Sequence, residues 1–361
     1  MKLRIDKEDF LSALQKAKNA TEKKSALPIL NNFLLKVEDG KLKISATDLE
    51  NFLSLEVSAE VEEEGSVAVN ADKLTSIVKG LPSATTTLEL KEDKLILSGG
   101  RSTFKLTTLD PEDFPEFPTP QTSTEFPAMD LLKAIDKVEY AISKEDSRYA
   151  LQGLYVHEVD GKTHFVGSDG HRLALFWRNS PFPIELLIPK KSLKVIEGLV
   201  KDYLGRVHCG KDESFIHFTG EDWKLSVRFL EGEYPDYMAV IPTSFNYEAL
   251  VDKSSFLESL KRLSNIAESS AFPVKITFSN HIAILEISDP EYGEGRDEVD
   301  VDYDGEAVEI GFNGKYLIEA LDSFDVNKVW IKIVDPDSAV VIESDDSEKD
   351  PYLCVVMPMR L

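Results

Sequence analysis

Apolar positions along the chain follow two periods. Six stretches carry them at the three-to-four spacing of an amphipathic helix: 9–20 (DFLSALQKAKNA), 70–81 (NADKLTSIVKGL), 129–142 (MDLLKAIDKVEYAI), 189–200 (PKKSLKVIEGLV), 254–267 (SSFLESLKRLSNIA) and 312–324 (FNGKYLIEALDSF). Between them, apolar and polar residues alternate as half-buried strands require.

The order of these elements repeats three times. The helices at 9, 129 and 254 each lead into strands joined by a hairpin turn, reading EDGKLKI, VDGKTHF or SNHIAIL. A polar turn follows with Asp48, Asp169 or Asp289, spaced 121 and 120 residues apart. Then come the second helix and a strand meander, such as TTTLELKEDKLILSGGRSTFKLTTL from 85 or RVHCGKDESFIHFTGEDWKLSVRFL from 206. The pattern predicts an α+β protein of three similar domains, 1–121, 122–243 and 244–361, each with two helices packed on antiparallel sheets. Proline-rich stretches at 109–121 and 234–245 separate them. Similar modules with open sheet edges can go on pairing into a filament or a closed ring.

The last ten residues, YLCVVMPMRL, are unusually apolar and take the final strand position of the third meander. They are either a buried strand or the lining of a surface for a partner.

Composition narrows the class. At 42% hydrophobic and 29% charged residues, the chain is ordinary for a globular protein. No apolar run reaches membrane-spanning length, and MKLRIDKEDF lacks the apolar centre of a signal peptide, so a cytoplasmic protein without a membrane partner is expected. Cys209 and Cys354 lie in alternating stretches rather than in a CxxC pair, which predicts buried free thiols and no metal or cofactor.

The net charge of −24 argues against a tight electrostatic grip on nucleic acid. Its distribution changes that reading. The three thirds carry −5, −4 and −15, with lysines gathered at 16, 18, 23 and 24 and at 190, 191 and 194, so a positive face on a negative body is possible. The acidic strand RDEVDVDYDGE at 296–306 contrasts with GGRSTFKLTTL at 99–109. Arg101 and Lys105 around Phe104 can meet those carboxylates in a head-to-tail contact that two chains close into a ring.

SDGHRLALF at 168 is the most enzyme-like stretch, but Ser168, Asp169 and His171 on one turn cannot form a triad. No GxSxG elbow, Walker loop, dinucleotide fingerprint or HExxH helix occurs. DGHRL reads better as a turn presenting His171 and Arg172 at an apolar groove of a kind that binds short peptides. On the residues alone, a monomeric peptide-binding scaffold and an enzyme using His171 and Asp169 as an acid and base pair both stay open.

LPILNNFLLKVEDGKLKISATDLE at 27, SRYALQG at 147, SDGHRLAL at 168, EYPDY at 233 and VVMPMRL at 355 together resemble the bacterial DNA sliding clamps, the beta subunits of the replicative polymerase, over Met1 to Leu361. The resemblance implies a non-enzymatic ring of two chains, head to tail, with helices lining a hole for double-stranded DNA. It implies no cofactor, and as partners the replicative polymerase, the clamp loader, and other polymerases and repair proteins carrying short clamp-binding motifs. Their groove would be made by Leu151, Ser168, Gly170, His171, Arg172, Leu173, Pro235, Val240, Val355, Met357, Pro358, Met359, Arg360 and Leu361. DNA-facing positions carried over are Lys24, Arg148, Tyr149, Lys190 and Lys191, with Ala150 where some relatives have an aromatic residue and Glu145 placed poorly against phosphate. Phe104 against Leu263 would form the apolar centre of the dimer contact, flanked by Arg101 and Lys105.

Overall fold

The computed structural model describes residues 1–22, 26–269 and 271–360. All six amphipathic stretches are helical: α1 (Lys7–Lys18), α2 (Ala71–Gly80), α3 (Ala128–Val138), α4 (Lys190–Val200), α5 (Lys253–Leu263) and α6 (Gly314–Asp322). Polar side chains fix their starts. Asp6 accepts from the amides of Glu8 and Asp9, Asn70 from Lys73, Asp252 from Ser255 and Asn313 from Lys315, so the first helical donors of four helices are satisfied. In α1, Glu8 and Asp9 at the start and Lys16 and Lys18 at the end complement the helix dipole, while Phe10, Ala13, Leu14 and Ala17 form the buried stripe. Helices α3 and α5 stop earlier than the pattern predicts, because the chain tightens into 3-10 turns at Glu139–Ala141 and Ser264–Ile266.

The three hairpin turns share one geometry. Asp39 and Gly40, Asp160 and Gly161, and Asn280 and His281 all have positive φ, the two-residue turn whose twist suits paired strands. The three regularly spaced aspartates share one task as well. Asp48 accepts from the amides of Glu50 and Asn51, Asp169 from His171 and Arg172, and Asp289 from Glu291 and Tyr292. Their 120-residue period records a side-chain-closed turn.

The chain forms two compact units, Met1–Leu132 with Lys191–Phe229 and Lys133–Lys190 with Leu230–Leu361. Among the described residues each unit holds one continuous antiparallel sheet, of thirteen strands in the first and twelve in the second. The division runs through residues 122–243 because each half of that stretch extends a different sheet. Strand Trp223–Arg228 pairs with Asn51–Ser58, and strand Arg172–Arg178 pairs with Tyr352–Val356. Cys209 and Cys354 are buried, which pushes their thiols up to about 12 and about 11. Among the described residues no helix is long and apolar enough to cross a membrane, and no cluster of potential metal ligands occurs.

Candidate partner-binding groove

In the second unit, the alternation of strand Arg172–Arg178 sends Leu173 to the same face as Val355, its register partner on Tyr352–Val356. With Val166, Leu175, Val341 and Tyr237 these two side chains make a buried apolar cluster. Above it lies a cavity of about 280 Å³ lined by Leu151, Ser168, Gly170, Arg172, Leu173, Pro235, Val240, Val355 and Met357, together with Tyr234, Asp236 and Tyr237. Nine predicted groove positions thus come together.

Of the other five, His171, Pro358, Met359 and Arg360 do not line it. His171 is exposed and binds through its backbone, its carbonyl accepting from the Met357 amide at 2.9 Å. Pro358, Met359 and Arg360 run onward, the Met359 amide donating to Gly311 at 2.9 Å, and Leu361 lies outside the described residues. Tyr234, Asp236 and Tyr237 were not predicted as lining residues, although the motif EYPDY contained them.

The rim is a rigid turn. Ser168 Oγ accepts from the Gly170 amide at 3.1 Å and donates to the Arg172 carbonyl at 2.8 Å, and Asp169 caps two amides. Gly170 has φ +83°, and the Arg148 guanidinium occupies the space a Cβ there would need. Arg148 also donates to the Asp169 carbonyl. The Asp169 carboxylate is therefore spent on the turn and on Arg172 Nε at 3.1 Å, and no hydrogen bond joins it to the His171 ring among the described residues.

Arg172 is 8% exposed and fully engaged. It donates to Glu319, to the Tyr140 carbonyl at 2.7 Å and to Asp169, with its guanidinium between the rings of Tyr140 and Tyr316 at 5.0 and 4.3 Å. Burial works against its charge, but the carboxylates of Glu319 and Asp169 outweigh that and hold its pKa up. A planar donor fork suits this position better than an ammonium.

Opposite stands a wall of tyrosines. Tyr234 stacks on Tyr155 at 4.6 Å, and the Tyr237 hydroxyl sits between His157 Nε2 at 2.8 Å and His164 Nδ1 at 2.7 Å. Burial, then the neighbouring His157 and Lys162, pushes His164 down to about 4, so the hydroxyl faces neutral imidazoles at pH 7.

The floor strand is anchored just before it begins. Asp350, 0% exposed, accepts from Lys137 Nζ at 2.7 Å and from the Asp325 amide at 2.6 Å. The Tyr352 hydroxyl donates to the Lys137 carbonyl at 3.0 Å.

Residues 1–118, 125–236 and 238–360 match the N-terminal, central and C-terminal domain models of the DNA polymerase III beta subunit. The chain belongs to this family. It is 30% identical to the beta sliding clamp of Pseudomonas aeruginosa and 32% identical to that of Caulobacter vibrioides, with all of each chain covered. Among solved structures, the beta subunit from Pseudomonas aeruginosa superposes with a TM-score of 0.93 at 30% identity, covering all of both chains. That from Thermotoga maritima gives 0.92 at 31% identity, covering all of this chain and 99% of the other. A sliding clamp from Bartonella birtlesii bound to griselimycin gives 0.95 at 28% identity, again with full coverage. The function is that of the family, a DNA sliding clamp and processivity factor for DNA polymerase III.

The positions expected to face DNA differ in how the fold holds them. Tyr149 is 53% exposed. The Lys190 amine is half-buried and donates to the Ile142 carbonyl at 2.7 Å, with its pKa lowered by burial and then by Lys144. Lys191 forms an ion pair with Glu50, Arg148 is tied to the groove turn, and Lys24 lies outside the described residues.

Two open strand edges stand out at the expected subunit contact. Strand Ser102–Leu109 pairs along its length with Lys94–Gly99, but with Gly65–Asn70 only at Thr108 and Leu109. Strand Gly293–Asp302 pairs along Ile282–Asp289, but with Tyr247–Asp252 only at Val301 and Asp302. Phe104 is 41% exposed on the first edge, where Arg101 and Lys105 make no ion pair among the described residues. Leu263 is buried within its own unit, with its side chain against Gly295 of the second edge.

Proposed function

We propose that two copies of this chain close head to tail into a ring around double-stranded DNA, and that the groove over Leu173 and Val355 captures short linear motifs of the proteins the ring carries. Those partners are the replicative polymerase, the clamp loader, other polymerases and repair proteins, and the setting is the cytoplasm. The chain performs no chemistry; it raises the effective concentration of its partners at the DNA. Three modules, 1–121, 122–243 and 244–361, are the repeating unit of the ring.

The observation that carries this reading is the convergence of nine groove residues on one small apolar cavity rimmed by a rigid turn. Open edges at Ser102–Thr107 and Gly293–Asp300 support strand addition between subunits, with basic residues on one edge and acidic ones on the other. With Lys190 and Lys191 already bonded within the chain and a net charge of −24, phosphate contacts are weak, as a sliding ring needs.

The test is fluorescence-anisotropy binding of a short Gln-Leu-type peptide to the intact chain and to one ending at Val356. Saturable binding lost on truncation, with the dimer intact by sedimentation, supports the groove. Equal binding by both chains, or loss of the dimer on truncation, would refute the role given to Met357–Leu361.

A further inference from the structure

We infer that the chain carries a second docking groove, in the first unit, for a short peptide that joins an aromatic anchor to a basic side chain. The inference goes beyond the proposed function and takes from it only that the first groove is a docking surface.

The two units repeat the same construction. Phe52 faces Ser226 and Asn51 faces Val227 across one strand pair, as Leu173 faces Val355 and Arg172 faces Val356 across the other. The preceding turns share their amide bonds. Thr47 Oγ1 accepts from the Leu49 amide at 2.9 Å where Ser168 Oγ accepts from Gly170, and Asp48 caps Glu50 and Asn51 where Asp169 caps His171 and Arg172. Leu49 even adopts φ +71°, close to Gly170 at +83° and a strained backbone for leucine. The segment Phe114-Pro115-Glu116-Phe117 repeats Tyr234-Pro235-Asp236-Tyr237 after 120 residues.

At the corresponding place the first unit has an open cleft of about 1040 Å³, with Phe52, Glu116, Phe117, Phe215 and Arg228 among its lining residues. Phe52, Glu116, Phe117 and Arg228 stand where the first groove has Leu173, Asp236, Tyr237 and Met357. Phe52 meets Phe117 edge-on at 5.4 Å and Phe215 edge-on at 5.5 Å, leaving an aromatic floor with defined ring edges.

Charge selects the occupant. Arg228 is already stacked over Phe215 at 4.8 Å, and the Asp212 carboxylate is used by the amides of Ser214 and Phe215 and by His217. Glu116 and Glu213 on the rim are exposed and make no ion pair among the described residues. Two uncommitted carboxylates beside an aromatic floor complement a peptide with an aromatic residue next to arginine or lysine, and disfavour an acidic one.

The test is anisotropy titration of a fluorescein-labelled peptide Gly-Phe-Leu-Arg-Lys-Gly with the full chain. The expected result is saturable binding, weakened at least about fivefold when Glu116→Lys and Glu213→Lys are combined, because two favourable surface charge contacts become repulsive. Both positions are exposed, so folding is preserved; Phe117→Ala, which removes an anchor ring, is expected to weaken binding as well. The combined reversal Glu291→Lys and Glu348→Lys, at exposed sites of the other unit, is expected to have little effect. Absence of saturable binding, indifference to the rim reversal, or an equal loss in the remote pair overturns the inference. So does displacement by excess unlabelled Gln-Leu-type peptide, which would mean that the probe sits in the first groove.

Discussion

Replacing Asp350 with alanine tests whether the groove floor depends on its buried anchor. Lys137 is 4% exposed, and its amine is held by Asp350 at 2.7 Å, Asp325 at 3.1 Å and the Ser323 carbonyl at 2.5 Å. Stranding a buried charge altogether costs about 3–5 kcal/mol. Because Asp325 and Ser323 remain, the lower end applies, about 3 kcal/mol, with the unpaired Asp325 amide included. Asp350→Asn keeps an acceptor and is expected to cost about half as much. The readout is native-state hydrogen exchange by mass spectrometry, since a chain of two units does not guarantee two-state unfolding. Amides of Tyr352–Val356 are expected to exchange about 100-fold faster in Asp350→Ala, with peptides of the first unit unchanged. Adding Lys137→Met removes the stranded charge and is expected to recover most of the loss. Unchanged protection of Tyr352–Val356, or a loss spread equally over both units, would refute the anchor. A failure of Lys137→Met to rescue would refute the electrostatic origin of the effect.

Three further outcomes are expected. His164, held near 4 when folded against about 6.5 when unfolded, binds fewer protons in the native state, so its contribution is complete above pH 6.5 and is lost as pH falls from 6.5 toward 4, by on the order of 2 kcal/mol at pH 5. Urea unfolding of wild type and His164→Gln at pH 7 and pH 5 checks this, and an equal acid loss in both would contradict it. Met357→Ala removes an exposed apolar contact of the groove and is expected to weaken the Gln-Leu-type peptide about three- to tenfold in an anisotropy titration, without changing the melting temperature. Phe104→Asp puts a charge on the open edge of Ser102–Leu109 and is expected to shift sedimentation from dimer toward monomer; an unchanged dimer would remove Phe104 from the subunit contact.

Local chemistry was legible in the sequence. Helices α1 to α6 follow from apolar spacing, and four of them from polar caps as well, since each needs only neighbours within a turn or two. The Asp-Gly hairpins and the turns of Asp48, Asp169 and Asp289 follow from side chains that bond amides two and three residues away. Nine of the groove residues that the family resemblance implied line one cavity.

What depends on distant pairing had to wait for the fold. Leu173 meets Val355 only because two far-separated strands lie side by side, and similar pairing on the other half divides residues 122–243 between two units. The Tyr237 hydroxyl requires His157 and His164 to supply its partners. A lysine reads as a free cation in sequence, yet Lys190 is bound to a carbonyl and Lys191 to Glu50. The apolar residue of α5 offered for contact, Leu263, is buried in its own unit. Periodicity fixes which face of an element is apolar; only the packed chain decides what covers that face, and therefore which side chains remain for a partner.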